Sequence, residues 1–201
     1  MKKSNIYTVQ FRRKLEGSTN YRKRLKILVS NKPRLVVRKS LKNIQAAIVE
    51  YDEKGDVVKE AVHSSNLKKW GWAYNTGNVP AAYLVGFLLG KAANTKFDVV
   101  ILDIGLNKSV RGSRIYAVLA GALDAGLKVL CSKEILPSKD RLSGKHITDY
   151  GNLLKKDDTA FKKQFGSYLK GNNDPSSMAA KFEEVKNNID KGIPGANKKN
   201  G

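Results

Sequence analysis

Apolar and polar residues alternate through residues 33–51 (PRLVVRKSLKNIQAAIVEY) as in two β-strands joined by a turn at residues 40–43. With a tight turn there, one face of the hairpin is apolar: Leu35, Val37, Ile44, Ala46 and Ile48. The other face carries long hydrogen-bonding side chains among small residues: Arg34, Arg38, Gln45 and Ala47. Such a face fits a phosphate backbone better than a hydrophobic partner, and an ordinary solvated face is the alternative.

The chain after the hairpin continues the same sheet. Residues 52–55 (DEKG) predict a turn, and the alternation in residues 56–63 predicts a third strand, which together make an antiparallel meander. Trp70 and Trp72 follow in a loop, where core packing is favoured over base stacking.

A helix, a strand, a second helix and a further strand are predicted next. Asn78 and Pro80 open the first helix, in which Gly86 and Gly90 permit close approach to a sheet. The apolar run at 97–104 predicts a strand buried on both faces. Ser113 would then cap a helix over residues 114–125 that ends at Gly126, and residues 127–132 would form the next strand.

Strand, helix and strand of these lengths imply a right-handed parallel crossover. The predicted fold class is therefore α/β, in which the antiparallel three-strand meander and the crossover form one mixed sheet with helices packed on it.

The chain beyond Pro137 is more polar. It predicts a loop and short helix at 141–150, a helix at 158–170, and a last helix opened by Asp174 and Pro175. The last helix places apolar residues on one face: Met178, Phe182, Val185 and Ile189. We expect residues 192–201 to be disordered.

Basic residues are concentrated at the N-terminus. The net charge is +20, from 38 basic and 18 acidic residues, and residues 1–42 alone hold 14 basic residues against Glu16. Charge of this size indicates nucleic acid as the partner, or less often an anionic membrane. We expect three segments: a basic RNA-binding arm at 1–31, an α/β RNA-binding domain at 32–150, and a helical extension with a disordered tail at 151–201.

Several classes of protein are disfavoured by the composition. A single cysteine, Cys131, excludes an intrachain disulfide and fits a reducing compartment. With only His63 and His146 beside it, no metal-ligand spacing exists, and no cofactor is expected. The longest apolar run, residues 79–93, falls short of the ~20 residues of a membrane span, and the N-terminus lacks the apolar region of a signal peptide. We expect a soluble, intracellular protein with no membrane partner and no small-molecule substrate.

Two segments have the chemistry of RNA binding. The arm mixes tyrosine with arginine, which can contact phosphates bidentately and stack on bases. Residues 21–28 could form a short helix, whereas the like charges of the arm predict poor order in the free protein. A solubilising tail is the alternative for this segment. Lys108, Arg111 and Arg114 surround a glycine-containing loop at the start of a helix and form a candidate anion-binding site.

Asp103 raises an enzymatic alternative. An aspartate after a buried strand could belong to an RNase-H-like, metal-dependent nucleic-acid-processing enzyme, but such chemistry needs several converging carboxylates. Asp124 lies near the far end of a predicted helix, and Glu134 and Asp140 lie in a polar stretch, so the signal for such a site is weak. Bonding to backbone amides of the following loop is the favoured role of Asp103.

Several collinear segments carry a resemblance to a known family. They are YRKRLKIL, KPRLVVRKSLKNIQAAIV, HSSNL, GWAYNTGNVPAAYLVGFLLG, LDIGLNKSVRGSRIYAVLAGALDAGL and GKHITDY. In this order they resemble the large-subunit ribosomal protein family L-eighteen, which binds 5S rRNA, in its archaeal or eukaryote-like form. The resemblance covers about residues 7–150, whereas residues 151–201 match loosely.

The resemblance implies a non-enzymatic ribosomal protein of the cytoplasm that attaches 5S rRNA to the large-subunit rRNA in the central protuberance. Its further partners would be 23S-type rRNA, the neighbouring 5S-binding ribosomal protein and other large-subunit proteins. The implied RNA contacts are Arg12, Arg13, Lys14, Tyr21, Arg22, Lys23, Arg24, Lys26, Arg34, Arg38, Lys39, Ser40, Lys42, Asn43, His63, Ser64, Lys108, Arg111, Ser113 and Arg114.

Overall fold

The computed structural model describes residues 8–192. Its strands are β1 (Arg34–Lys39), β2 (Ile44–Asp52), β3 (Gly55–His63), β4 (Val99–Asp103) and β5 (Lys128–Val129). Its α-helices are α1 (Arg12–Leu15), α2 (Tyr21–Leu28), α3 (Val79–Ala93), α4 (Arg114–Asp124), α5 (Lys139–Ser143), α6 (Lys145–Leu154), α7 (Asp158–Leu169) and α8 (Met178–Lys191). Short 3-10 helices span Ser64–Trp70, Lys133–Ile135 and Pro175–Ser177. The predicted disordered tail lies, apart from Gly192, outside the described residues.

The five strands form one mixed sheet in the order β3-β2-β1-β4-β5. β1 pairs antiparallel with β2, and β2 with β3, whereas β1 with β4 and β4 with β5 are parallel. Leu35 lies opposite Ile48, and Val37 opposite Ala46, so the apolar side chains of the hairpin share one buried face. The predicted fold class and the register of the hairpin are confirmed.

Helices α3 and α4 cover this apolar face. Asn78 caps α3 by accepting a hydrogen bond from the amide of Ala81 at 2.9 Å, and Pro80 stands in the first turn, as predicted. The prediction that Gly86 and Gly90 contact the sheet is wrong. A Cβ at Gly86 would lie 1.9 Å from the carbonyl oxygen of Val118 on α4. The two glycines therefore allow close approach of α3 to α4, and not of α3 to a strand.

The second half of the sheet is smaller than predicted. The strand expected at 127–132 contains only Lys128 and Val129. β5 is an edge strand that pairs with β4 alone, and the chain leaves the sheet at Leu130, which is 82% exposed. β4 is only partly covered, since α3 and α4 pack on one face of the sheet. Ser113 stands before α4 as predicted, but its side chain makes no cap hydrogen bond.

The C-terminal helices add to the same core. The apolar face predicted for the last helix is confirmed, since Met178, Phe182, Val185 and Ile189 of α8 are all buried. Phe165 and Tyr168 of α7 are buried as well, whereas Leu169 is 39% exposed. None of the helices between residues 8 and 192 combines the length and the apolar character that a bilayer crossing requires.

Candidate nucleic-acid interface

Most of the sequence-predicted contacts outside the arm lie at one edge of the sheet. β1 and β3 run in the same direction because each pairs antiparallel with β2, and β4 is parallel to β1. The carboxyl ends of these strands therefore meet at one edge. We call this the loop edge; it consists of residues 39–43, 63–65, 75–78 and 104–114.

The tight turn between β1 and β2 is held by its own polar residues. The Ser40 hydroxyl donates to the Asn43 carbonyl at 3.1 Å and accepts from the Asn43 amide at 2.9 Å. The Ser40 amide donates to the same carbonyl at 2.8 Å. These bonds close the turn and leave Leu41 and Lys42 pointing outward, with Leu41 87% exposed.

Residues from two other loops support this turn from behind. The Thr76 hydroxyl bonds to the carbonyl of Lys42 at 2.9 Å and to the side-chain oxygen of Asn43 at 2.8 Å. The buried Ser64 hydroxyl donates to the same Asn43 oxygen and accepts from the amide of Ile44. A Cβ at Gly77 would lie 2.9 Å from the carbonyl oxygen of Leu41, so only glycine lets the loop approach this closely.

Sequence reasoning missed Thr76 and Gly77. Their segment, NTGN, was visible as a loop before α3, but nothing local showed that it would contact a turn about 34 residues earlier. The resemblance assigned Ser64 and Asn43 to RNA, but their side chains make the intramolecular hydrogen bonds described above.

Arg114 also supports the turn. Its Nη1 donates to the carbonyl of Gly77 at 2.7 Å and to that of Ser40 at 3.3 Å. These carbonyl oxygens hold the guanidinium group of Arg114 at the start of α4. Arg114 is therefore a structural residue and not the anion-binding residue that the sequence suggested. His63 has a local role, since its Nδ1 accepts from the amide of Ser65 at 3.2 Å and caps the 3-10 helix.

The remaining basic residues of the loop edge are free. Lys39, Lys42, Lys108 and Arg111 are all exposed, and none pairs with a carboxylate within the described part of the chain. The edge therefore presents fixed backbone with unneutralised cations, which is an arrangement that binds polyanions.

The short helix predicted at 21–28 is confirmed, and the rest of the arm is more ordered than its charge predicted. Over residues 8–31 it forms α1 and α2, and the Asn20 side chain caps α2 by accepting from the amide of Lys23 at 3.1 Å. Phe11 and Tyr21 pack with their ring centroids 5.1 Å apart. Six basic residues of the arm are exposed: Arg12, Arg13, Lys14, Arg22, Lys23 and Lys26.

An ion-pair network joins the arm to the sheet and explains this order. Arg24 of α2 lies 2.8 Å from Oδ1 of Asp56 on β3, and Arg34 of β1 lies 2.7 Å from the same oxygen. Arg34 also lies 3.2 Å from Asp103 on β4, which pairs with Arg38 at 3.3 Å. Arg34 is only 2% exposed, so it is a structural cation in this network and not a surface contact.

The charge state of Asp56 depends on these arginines. Partial burial acts to raise its pKa, but the two guanidinium groups that pair with it outweigh burial and lower the pKa below its usual range. The carboxylate is therefore ionised at neutral pH, and the contact between arm and sheet weakens only when acid protonates it.

Asp103 has no free oxygen for catalysis. One carboxylate oxygen lies 3.2 Å from Arg34, and the other accepts from the Gly105 amide at 2.8 Å and pairs with Arg38. The favoured role of Asp103, bonding to an amide of the following loop, is confirmed. Among residues 8–192, no three His, Cys, Asp or Glu side chains are grouped as metal ligands. No observation favours the enzymatic alternative.

A comparison with protein families agrees with the resemblance seen in the sequence. The family described as "Ribosomal large subunit proteins 60S L5, and 50S L18" matches residues 5–100. The match includes the arm, the three-strand meander, the loop that supports the β1–β2 turn, and α3. The match covers 96 of the 201 residues, just under half of the chain, and over this part the chain is similar to the ribosomal large-subunit proteins 60S L5 and 50S L18.

Proposed function

We propose that this protein binds 5S rRNA without catalysing a reaction, and helps to attach it to the large-subunit rRNA in the central protuberance. The observation that carries the proposal is the loop edge, where four exposed cations have no acidic partner among the described residues. Lys39 and Lys42 lie at the β1–β2 turn, which hydrogen bonds from Thr76, Ser64 and Arg114 support, and Lys108 and Arg111 lie in the loop after β4.

The family match supports the coarser part of this proposal. It favours a large-subunit ribosomal protein with rRNA and ribosomal proteins as its partners and the ribosome of the cytoplasm as its location. The finer partners proposed here are 5S rRNA, 23S-type rRNA and the neighbouring 5S-binding ribosomal protein.

The proposed mechanism is electrostatic positioning. Each lysine or arginine that neutralises a phosphate releases counterions, so binding weakens as salt rises. The turn is held rigidly before RNA arrives, which lowers the entropy lost on binding. Recognition would then depend mainly on RNA shape, with tyrosine and arginine stacking on unpaired bases.

The predicted residues divide into two groups under this proposal. Those that would touch RNA are Arg12, Arg13, Lys14, Tyr21, Arg22, Lys23, Lys26, Lys39, Lys42, Lys108 and Arg111. Those that would position the others are Arg24, Arg34, Arg38, Ser40, Asn43, His63, Ser64 and Arg114. Ser113, whose hydroxyl makes no hydrogen bond within the described residues, stays an RNA contact implied by the resemblance alone. We further propose that residues 1–31 and 32–150 contact RNA, and that residues 151–201 extend the fold.

The test of the proposed function is equilibrium binding to 5S rRNA beside a tRNA, across a salt series. We expect a marked preference for 5S rRNA that persists at physiological salt, because rigidly placed cations match one RNA shape better than another. Equal binding to both RNAs that disappears as salt rises would reject the proposal.

Arg111→Ala and Arg114→Ala should separate contact from positioning. Arg111 has no partner within the described residues, so its loss should lower 5S rRNA affinity about fivefold, reduce the salt slope by about one, and leave stability unchanged. Arg114→Ala should lower the free energy of unfolding by about 2 kcal/mol, because a charged donor to two carbonyls is removed. Urea unfolding and RNA titration of both variants check this. Equal losses of stability would contradict the division of roles.

A further inference from the structure

A large groove separates the arm from the face of the sheet that α3 and α4 leave uncovered. Its volume is about 1070 Å³, slightly above the ~300–1,000 Å³ typical of ligand pockets. α2 forms one wall, and the loop after β4 forms the other with Gly105, Leu106 and Asn107. We call this cavity the arm groove.

The floor of the arm groove is apolar. Val49 and Val58 lie opposite each other on β2 and β3, and Val36 of β1 lies diagonally across from Val49. Val58 is 58% exposed, because the helices cover only the opposite face of the sheet. Tyr21 of α2 adds an aromatic ring to the wall.

The rim of the arm groove is cationic. Six of its lining residues are basic (Arg13, Lys23, Arg24, Lys26, Arg34 and Arg38), and two are acidic, which gives a net charge of +4. Both acidic residues, Asp56 and Asp103, are already paired with arginines. An anionic occupant is therefore favoured over a neutral or basic one.

An unsatisfied donor lies at the base of the arm groove. The side chain of Arg34 is only 3% exposed, lines the cavity, and has no hydrogen-bond partner for its Nε within the described residues. This Nε is closed to solvent, so Arg34 adds to the positive charge beside the groove without contacting an occupant directly.

We propose that the arm groove binds an unpaired nucleotide of the RNA partner, with the base on the valine floor beside Tyr21 and the phosphates at the basic rim. The proposal rests on the proposed function and deepens it. Apolar and aromatic surface receives a splayed base, and the surrounding cations receive its backbone, which is how proteins commonly read single-stranded RNA.

Val58→Phe and Val57→Phe are the matched variants for testing this. The two valines are neighbours on β3, both are exposed, and only Val58 lines the arm groove. The ring of Val58→Phe should cover the valine floor and occupy the position of the base, and so weaken 5S rRNA binding about tenfold, the effect expected when one base can no longer stack. Val57→Phe should change the affinity less than about twofold, since the duplex and loop contacts stay in place.

The second measurement uses an RNA duplex without unpaired bases, to which both variants should bind as the unchanged protein does. Photocrosslinking of 5S rRNA that contains 4-thiouridine should join RNA to the peptides bearing Tyr21, Val36 or Val58. Thermal unfolding followed by circular dichroism verifies that both variants fold.

The outcomes separate the two proposals. If Val58→Phe and Val57→Phe bind 5S rRNA equally and no crosslink falls in the arm groove, the groove proposal is overturned and a protein segment becomes the better occupant. If the unchanged protein binds 5S rRNA no better than tRNA, the proposed function fails instead. The same two variants, titrated with that tRNA, then still decide whether the groove takes an unpaired nucleotide.

Discussion

Gly86→Ala should destabilise the protein by about 3 kcal/mol or more. The added Cβ would lie 1.9 Å from the Val118 carbonyl oxygen, and on the facing helix a Cβ at Gly121 would lie 2.1 Å from that of Tyr83. Both obstacles are backbone atoms within packed helices, which cannot move aside as a flexible side chain can. Overpacking of a core typically costs about 1–3 kcal/mol, and a backbone clash stands at the upper end.

Gly166→Ala is the matched control in α7. No atom lies within 4 Å of the Cβ that it would add, so the usual preference of a helix for alanine should stabilise the protein by up to about 1 kcal/mol. Urea unfolding of both variants measures the difference. If Gly86→Ala proved as stable as Gly166→Ala, the close contact of α3 with α4 described above would be wrong.

Replacing Arg22, Lys23 and Lys26 together by glutamine should lower 5S rRNA affinity roughly 100-fold at physiological salt. All three side chains are exposed on α2, and each phosphate that is no longer neutralised keeps its counterions, so their release no longer favours binding. The slope of log affinity against log salt should fall by about two to three. RNA titrations at several salt concentrations measure both quantities.

The control for the arm variant is a second triple replacement with the same change of charge. Lys156, Lys163 and Lys170 are exposed in the C-terminal part of the chain, beyond the family match. Their replacement by glutamine should change 5S rRNA affinity less than about threefold, through net charge alone. Equal effects of the two triple variants would mean that charge, and not the arm, determines the affinity.

The ion-pair network shows why an arm that looks unstructured in sequence has order in the fold. Nothing near Arg24 in the sequence could predict a carboxylate partner, because Asp56 lies 32 residues later and reaches α2 only across the sheet. Repulsion among like charges applies to an isolated arm, but it is offset once β3 supplies an acid.

The wrong predictions for Gly86, Gly90 and β5 have the same cause, because in each case the partner in space lies far away in the sequence. Gly86 and Gly90 indicated close approach, and the approach is real, but local pattern cannot say whether a helix or a strand comes near. The apolar run after Leu127 indicated a strand, yet a strand needs partners, and at the sheet edge only Lys128 and Val129 pair with β4.

Local chemistry determined a large part of this protein from sequence alone. Alternation in the hairpin specified which of its apolar residues face the helices, Asn78 and Pro80 specified the start of α3, and helical spacing specified the buried face of α8. These features depend on bonds and contacts within a few residues of one another. The predominance of basic over acidic residues likewise indicates a polyanionic partner whatever the fold.

The tertiary structure alone decided which polar residues are available to that partner. Arg34, Arg114 and Ser64 read as binding residues in sequence, but each is used by a carboxylate, carbonyl or amide from a distant part of the chain. Lys42 and Arg111 stay free because no such group reaches them among the described residues. A side chain's type fixes which bonds it can make, and only the folded arrangement of its neighbours fixes which of those bonds are already made.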